Sequence, residues 1–175
     1  TITLTPQKFV CPCPPDQGGD SGARFSDFSG EVTKAHCTDL KDKEPAELDM
    51  VLSRGNFIFT EAESYAVINF ADMTTFAMKP FTTVILECRP PKETKLAMLA
   101  GKVWTNVKRM IKDGTMEVTM NQAVAGTKGT VFVLEDTGLV STIKVLDGSV
   151  SYTSRATRET VLVTTGQTVS ATLPI

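Results

Sequence analysis

The chain has no apolar run approaching the ~20 residues that a helix needs to cross a bilayer. Nothing in its 175 residues reads as a signal peptide or a lipidation motif. An excess of either charge is also missing, since 18 Lys and Arg face 20 Asp and Glu for a formal net charge of −2. Without a basic surplus there is no field to gather phosphates, which argues against nucleic acid as a partner. Histidine is reduced to His36. Gly19-Asp20-Ser21-Gly22 carries the letters of a chymotrypsin-like nucleophile, but a Ser-His-Asp relay needs a histidine base, and in that arrangement it precedes the serine. The match is coincidence. Gly126 to Gly129 lacks the Lys-Ser/Thr ending and the following helix of a phosphate loop. No nucleophile–base pair or carboxylate pair falls on one face. The expected class is non-enzymatic, with no cofactor.

Cysteine is scarce but even in number: Cys11, Cys13, Cys37 and Cys88. An even set in an exported β-protein suggests at least one disulfide. Residues two apart rarely reach bridging geometry without strain, which disfavours Cys11–Cys13. The favoured arrangement is Cys37–Cys88, with some further involvement of Cys11 or Cys13. His36 with the cysteines lacks the paired knuckle spacing of a zinc site, so His36 reads as an exposed loop residue. Asp16, Asp20 and Asp27 with glycine between them are a candidate calcium loop, against which a solvated acidic loop is the simpler reading. The lone Trp104 is expected in the core.

What the chain does have is strand patterning. From Asn56 onward "NFIFT", "YAVINF", "FAMK", "TVILEC", "TKLAML", "KVWTNV" and "TMEVTM" each run a few residues between turn signals. Met116, Val118 and Met120 alternate with Thr and Glu, as Val150 and Tyr152 alternate with Ser and Thr. A period of two with β-branched residues marks half-buried strands. Between Asn121 and Val169 the corners carry Thr137-Gly138, Asp147-Gly148 and Thr165-Gly166-Gln167, and Asp-Gly between strands is a strong hairpin signal. This stretch therefore reads as a β-meander. About a dozen short strands and no long helix predict an all-β fold: a sandwich, a jelly roll or a short β-helical barrel. A one-turn helix at "PAELDM" is the exception, with Pro45 at its first position. The expected core includes Val67, Phe70, Val84, Leu86, Val103, Phe132, Leu134, Val145 and Val150. The expected organisation is an N-terminal strand plus Pro/Gly/Cys-rich linker over 1–28 and a β-domain over 29–175.

The order of these pieces resembles the FecR domain family. Gly129-Thr130-Val131-Phe132-Val133 resembles the Gly-Thr that opens a strand there. Val145-Leu146-Asp147-Gly148-Ser149-Val150 resembles its V-x-x-G-x-V unit, and Thr165-Gly166-Gln167 its closing turn. "LSRGNFIFTEAESYAVINFADMTTFAMKPFTTVIL" resembles its first half and "LAGKVWTNV" its middle element. The resemblance spans roughly 30–169 and departs at the charged Ala35–Asp49 insert and at "CPCPP". It implies an extracytoplasmic domain that binds another protein and relays a signal inward, usually across a membrane helix, with a membrane-associated protein as partner.

A second expectation comes from the ends. The first seven residues and the segment from Thr160 to Ile175 carry no charged side chain, whereas edge strands normally carry charges or bulges that block strand addition. Thr1, Ile2, Thr3, Leu4 and Thr5 alternate, as do Val169, Ala171 and Leu173. Terminal strands of this kind suit pairing with another chain. On these grounds the leading reading is a secreted subunit that self-assembles into an extracellular filament or surface layer, a homo-oligomer or polymer. The start at Thr1 without methionine fits either a trimmed chain or a processed exported protein. Pairing of both ends inside their own domain is the competing reading.

Overall fold

The computed structural model describes residues 20–36, 39–70, 74–86, 93–107, 115–127 and 129–173, and no helix occurs among them. In chain order the strands are β1 (Asp20–Ser29), β2 (Val32–His36), β3 (Asp39–Pro45), β4 (Val51–Ser53), β5 (Asn56–Thr60), β6 (Tyr65–Phe70), β7 (Thr75–Met78) and β8 (Thr83–Leu86). They continue with β9 (Glu93–Val107), β10 (Thr115–Thr119), β11 (Ala123–Thr127), β12 (Thr130–Asp136), β13 (Val140–Asp147), β14 (Ser149–Ser154), β15 (Thr160–Thr164) and β16 (Thr168–Thr172).

The long strand β9 belongs to two sheets. Its second half lies between β7 and β12, and its first half between β8 and β10. One sheet runs β4-β1-β6-β7-β9-β12-β13-β16. The other runs β3-β2-β5-β8-β9-β10-β11-β14-β15. Every described ladder is antiparallel except β9–β10, which is parallel. The bend falls at Gly101, whose φ of +99 is closed to most side chains. An added Cβ there would lie 2.3 Å from Thr82 Oγ1 and 2.5 Å from Thr82 Cα. The two expected strands "TKLAML" and "KVWTNV" are thus one strand folded over a glycine.

The facing sides of the sheets bury one large cluster that includes Phe25, Ile58, Ile68, Phe76, Met98, Met116, Phe132, Ile143 and Val163. Of the expected core, Val84, Leu86, Val103, Phe132, Leu134, Val145 and Val150 are buried. Val67 and Phe70 are only half-buried. β6 is apolar on both faces, and the register places Ala66 and Ile68 inward instead. Phe70 packs at the margin, edge-on to Phe76. Trp104 lies half-buried between the inward Val103 and Thr105, so it occupies the outer face rather than the core. His36 ends β2 and is half-buried, not a loop residue. The "PAELDM" segment forms a turn with Asp49 at φ 61, not a helix: Pro45 ends β3, and the Asp49 N–H that would close a first helical turn on Pro45 donates instead to Phe25 O at 3.1 Å.

Residues 20–28, read from the sequence as the end of the linker, form most of β1. β1 pairs with β4 and β6 and puts Ala23 and Phe25 into the core. Serine 21, the residue of the protease-like tetrapeptide, donates its hydroxyl to Leu52 O within this ladder.

The larger correction concerns the C-terminal stretch, which is not a meander. β12–β13 is a hairpin about Thr137-Gly138, as expected. The Asp147-Gly148 corner instead leads from β13 in one sheet to β14 in the other, and Thr165-Gly166-Gln167 leads from β15 back to β16. A residue with positive φ can reverse a strand or turn it out of its sheet, and Gly148 at φ +108 does the second. The Gly148 corner abuts the connection from β11 to β12: a Cβ on Gly148 would stand 3.0 Å from Gly129 O. Thr130 Oγ1 donates to Ser149 O at 2.8 Å, and Gly148 N donates to Thr165 Oγ1 at 3.0 Å, tying three crossovers together at one end.

Candidate functional site: an open rim of two uncharged edge strands

Both sheets end in edge strands, and the two ends of the molecule differ. At one rim lie β3 and β4. β3 is "DLKDKEP", exposed at every position and dense in charge, with a terminal proline. Lys34 Nζ reaches Glu44 Oε2 at 3.8 Å, and Lys43 Nζ sits 4.3 Å from the ring centroid of Phe59. β4 has only three residues. Charges, a proline and brevity are the devices that block strand addition. This rim is guarded.

The opposite rim is formed by β15 and β16. β15 pairs only with β14, and β16 only with β13, among the described strands. From Thr160 to Thr172 there is no charged residue, no proline and no bulge in either ladder. Val161 is 46% exposed, Leu162 66% and Leu173 48%. Between the two strands opens a cleft of about 260 Å³, lined by Tyr152, Glu159, Val161, Val169 and Ala171 among others. On β16 Val169 and Ala171 pack partly against the core, while Ser170 faces out and bonds Thr142 across the ladder at 2.9 Å. A row of backbone donors and acceptors without a partner among the described strands, beside a cleft of mixed polar and apolar lining, can accept one more extended chain.

The rim is braced from beneath by a buried carboxylate. Asp136 accepts from Asn121 N (2.8 Å), Asn121 Nδ2 (3.0 Å), Gly138 N (2.8 Å) and Ser141 Oγ (3.0 Å). Gln122 N donates to the same Ser141 hydroxyl at 2.9 Å. The knot joins the β10–β11 turn of one sheet to the β12–β13 turn of the other. A buried charge is tolerable only when its lone pairs are this fully engaged. The buried hydroxyl of Tyr152 donates to Ser141 O and so ties β14 to the knot. Burial, and then the nearby Asp136 charge, raise the Tyr152 pKa well above the ordinary tyrosine value. The unfolded chain therefore releases this proton first. Stability should be intact below about pH 10 and fall as pH rises beyond it toward the folded-state value. The exposed Tyr65 is raised too, chiefly by its hydrogen bond to Asp27, and acts in the same direction. Urea unfolding between pH 8 and 11 should show this alkaline loss in the native protein and a smaller one in Tyr152→Phe.

Of the residues expected at sites, Val169 and Leu173 lie on or beside the β16 edge, half-buried and exposed respectively. Thr1, Ile2, Thr3, Leu4, Thr5, Cys11, Cys13, Asp16, Cys37 and Cys88 lie outside the described residues, and with them the disulfide expectation. Asp20 begins β1, and Asp27 accepts the Tyr65 hydroxyl at 3.1 Å. Among the described residues no group of three His, Cys, Asp or Glu is placed to hold a metal ion. No described helix is long and apolar enough to cross a membrane. Sequence reasoning missed Asp136 and Asn121, whose only local signal is the Asp136-Thr137-Gly138 turn.

The described residues form a bent two-sheet β-domain with an exposed, uncharged rim. Residues 56–151, more than half of the chain, match the model of the family described as FecR protein. The chain belongs to the FecR family. Two crystal structures of a "putative anti-sigma factor" from Parabacteroides distasonis ATCC 8503, at 1.65 and 2.50 Å resolution, share its fold. Each superposes with a TM-score of 0.55 at 15% identity, over 66% of this chain and 59% of that one. The chain thus spans 59% of the length of that protein. No curated protein sequence matches it. The family match stops inside β14, so the whole of the β15–β16 rim lies beyond it.

Proposed function

We propose that this chain is the extracytoplasmic, partner-binding domain of a FecR-type regulator, which relays a signal by contact with another protein at the β15–β16 rim. The observation that carries the regulatory reading is the FecR family match over residues 56–151, and the asymmetry of the edges, one with charge and proline and the other with neither, supports the β15–β16 rim as the contact surface. The described residues offer no metal-binding group, and their most elaborate polar cluster, around Asp136, is buried bracing beside the rim. The fold shared with an anti-sigma factor supports a regulatory role over the filament or surface-layer subunit suggested by the uncharged termini, to which neither the family match nor the similar structures point.

The test replaces the gene in its native host with Leu162→Lys and Ser170→Lys, two exposed rim positions. Lysine on an edge opposes strand addition, and exposed substitutions of this kind change stability by about 0.5 kcal/mol or less. A discrete set of transcripts should change while the folded protein stays at its normal level. Unchanged transcripts with loss of surface fibres under negative stain would reject the regulator in favour of the filament subunit.

A further inference from the structure

We propose that the Pro80–Phe81 turn is a second contact surface, on which Phe81 anchors a protein partner whose pocket is apolar and bordered by Lys or Arg. The turn joins β7 to β8, and the path β7-β9-β12-β13-β16 puts four ladders between it and the β16 rim. Phe81 is 66% exposed and its backbone lies at φ 56. An exposed apolar side chain is ordinary by itself, but a bulky residue at positive φ is an outlier. Here the two coincide, so no burial of the ring offsets the strain of the backbone. Pro80 and Phe81 are the central residues of the turn from Lys79 to Thr82. A turn with proline second and a positive φ third favours Gly or Asn at the third position. Selection for stability alone would not put phenylalanine there. Strain that the surroundings over-determine gathers where a side chain must be aimed.

The surroundings do hold it. The buried Thr60 hydroxyl donates to Lys79 O at 2.7 Å and accepts from Thr82 N at 2.9 Å, bridging the two ends of the turn. Lys79 N donates to Lys102 O at 2.9 Å, and Phe81 N to Glu61 O at 3.4 Å. A turn fixed in this way presents its ring without a further ordering cost on binding.

The charges beside the ring say what kind of pocket it fits. The bond to Glu61 O joins the turn to its neighbour from Glu61 to Ser64, where the exposed Glu63 is also a non-glycine at positive φ. Glu61 N donates to Glu31 O at 3.1 Å, and Glu31 N to Ser64 Oγ at 2.8 Å. Glu31, Glu61 and Glu63 therefore flank Phe81 on one side. On the other a hollow of about 340 Å³ opens toward the β12–β13 hairpin, and there Lys102 and Glu135 stand opposite each other across a ladder. With Lys79 and Lys102 as the cations beside the turn, carboxylates predominate. An aromatic anchor ringed by charge of one sign suits an apolar pocket ringed by the other.

Thermal unfolding and photo-crosslinking in the native host test the proposal together. Phe81→Asn should melt higher than the native protein by ~2–4 °C, because Asn accepts positive φ at lower cost. Benzoylphenylalanine placed at the exposed Ala62, in the neighbouring turn, should form a discrete adduct with one other protein. The same group placed at Leu40 on the guarded strand β3 should not form it. Phe81→Asn should abolish the Ala62 adduct, and Glu31→Lys/Glu63→Lys should cut its yield roughly fivefold or more by opposing the partner's cations. The crosslinked peptide should carry apolar residues next to Lys or Arg. An Asn variant that melts lower than the native protein would show that Phe81 serves the fold, and the inference falls. It falls too if the Ala62 adduct is absent, is shared with Leu40, joins a second copy of this chain, or survives either set of substitutions. None of these failures touches the rim reading, which is decided by transcripts under Leu162→Lys and Ser170→Lys.

Discussion

Replacing Gly101 by alanine is expected to cost at least about 4 kcal/mol, the range reserved for changes that a fold cannot absorb. The new Cβ would lie 2.3 Å from Thr82 Oγ1, 2.5 Å from Thr82 Cα and 2.7 Å from Phe81 O. Two of those three are backbone atoms, so no rotamer change relieves the contact. Thr82 is itself pinned: its N–H donates to Thr60 Oγ1 at 2.9 Å, and its hydroxyl engages both Lys102 O and Lys102 N at 3.1 Å. Gly101 also sits at φ +99, outside the region that side chains normally occupy. Because β9 is shared by both sheets, a shift here moves one sheet against the other. Denaturant unfolding followed by circular dichroism measures the loss. The double variant Gly101→Ala/Thr82→Ala should remain as unstable, since the clashes with Thr82 Cα and Phe81 O persist. Recovery in the double variant would mean that the hydroxyl alone was the obstacle. Gly126→Ala is the control, with nothing within 4 Å of the added Cβ and no positive φ; it should be near neutral.

That glycine also shows which features were legible in the sequence. Alternation is local, so the inward faces of β10 and β14 could be read directly from Met116, Val118 and Met120 and from Val150 and Tyr152. The need for positive φ at Gly138, Gly148 and Gly166 is local too, and all three have it. Pairing is not local. Asp147-Gly148 has the chemistry of a hairpin, yet β13 finds β12 and β16 while β14 finds β11 and β15. Gly101 looked like a break between two strands because a bend and a loop use the same residue. β1 was hidden for another reason. Its register shifts between Phe25 and Asp27, which breaks the alternation that would have revealed it.

The rim was legible only in part. The missing charges from Thr160 onward could be seen, and so could the alternation of Val169, Ala171 and Leu173. That β16 and β15 end their sheets among the described strands depends on which strands pair, a property of the whole topology. The bracing beneath depends on Asp136 and Asn121, which are 15 residues apart and belong to different turns. No pattern within either turn announces that contact. An edge left open at one end and blocked at the other therefore emerges from the fold, while the chemistry that leaves it open was written in the composition.

Phe132→Ala is expected to lower stability by about 3–5 kcal/mol, as for other buried aromatic truncations. Phe132 is 1% exposed and is among the largest fully buried side chains. On β12 it stands between Thr105 of β9 and Val145 of β13, and its ring belongs to the large buried cluster between the sheets. Backbone ladders on both sides hold β12 in place, so the surrounding residues cannot collapse into the void, and the cavity term adds to the lost burial. For a chain of this length a loss of that size shifts the melting temperature by roughly 6–20 °C. Val133 is the internal comparison, adjacent on the same strand but pointing to the opposite face and half-buried. Val133→Ala should cost about 1 kcal/mol or less. Thermal and urea unfolding of both variants would separate a core position from a surface one. A loss at Phe132 no greater than that at Val133 would mean that β12 does not present Phe132 to the core.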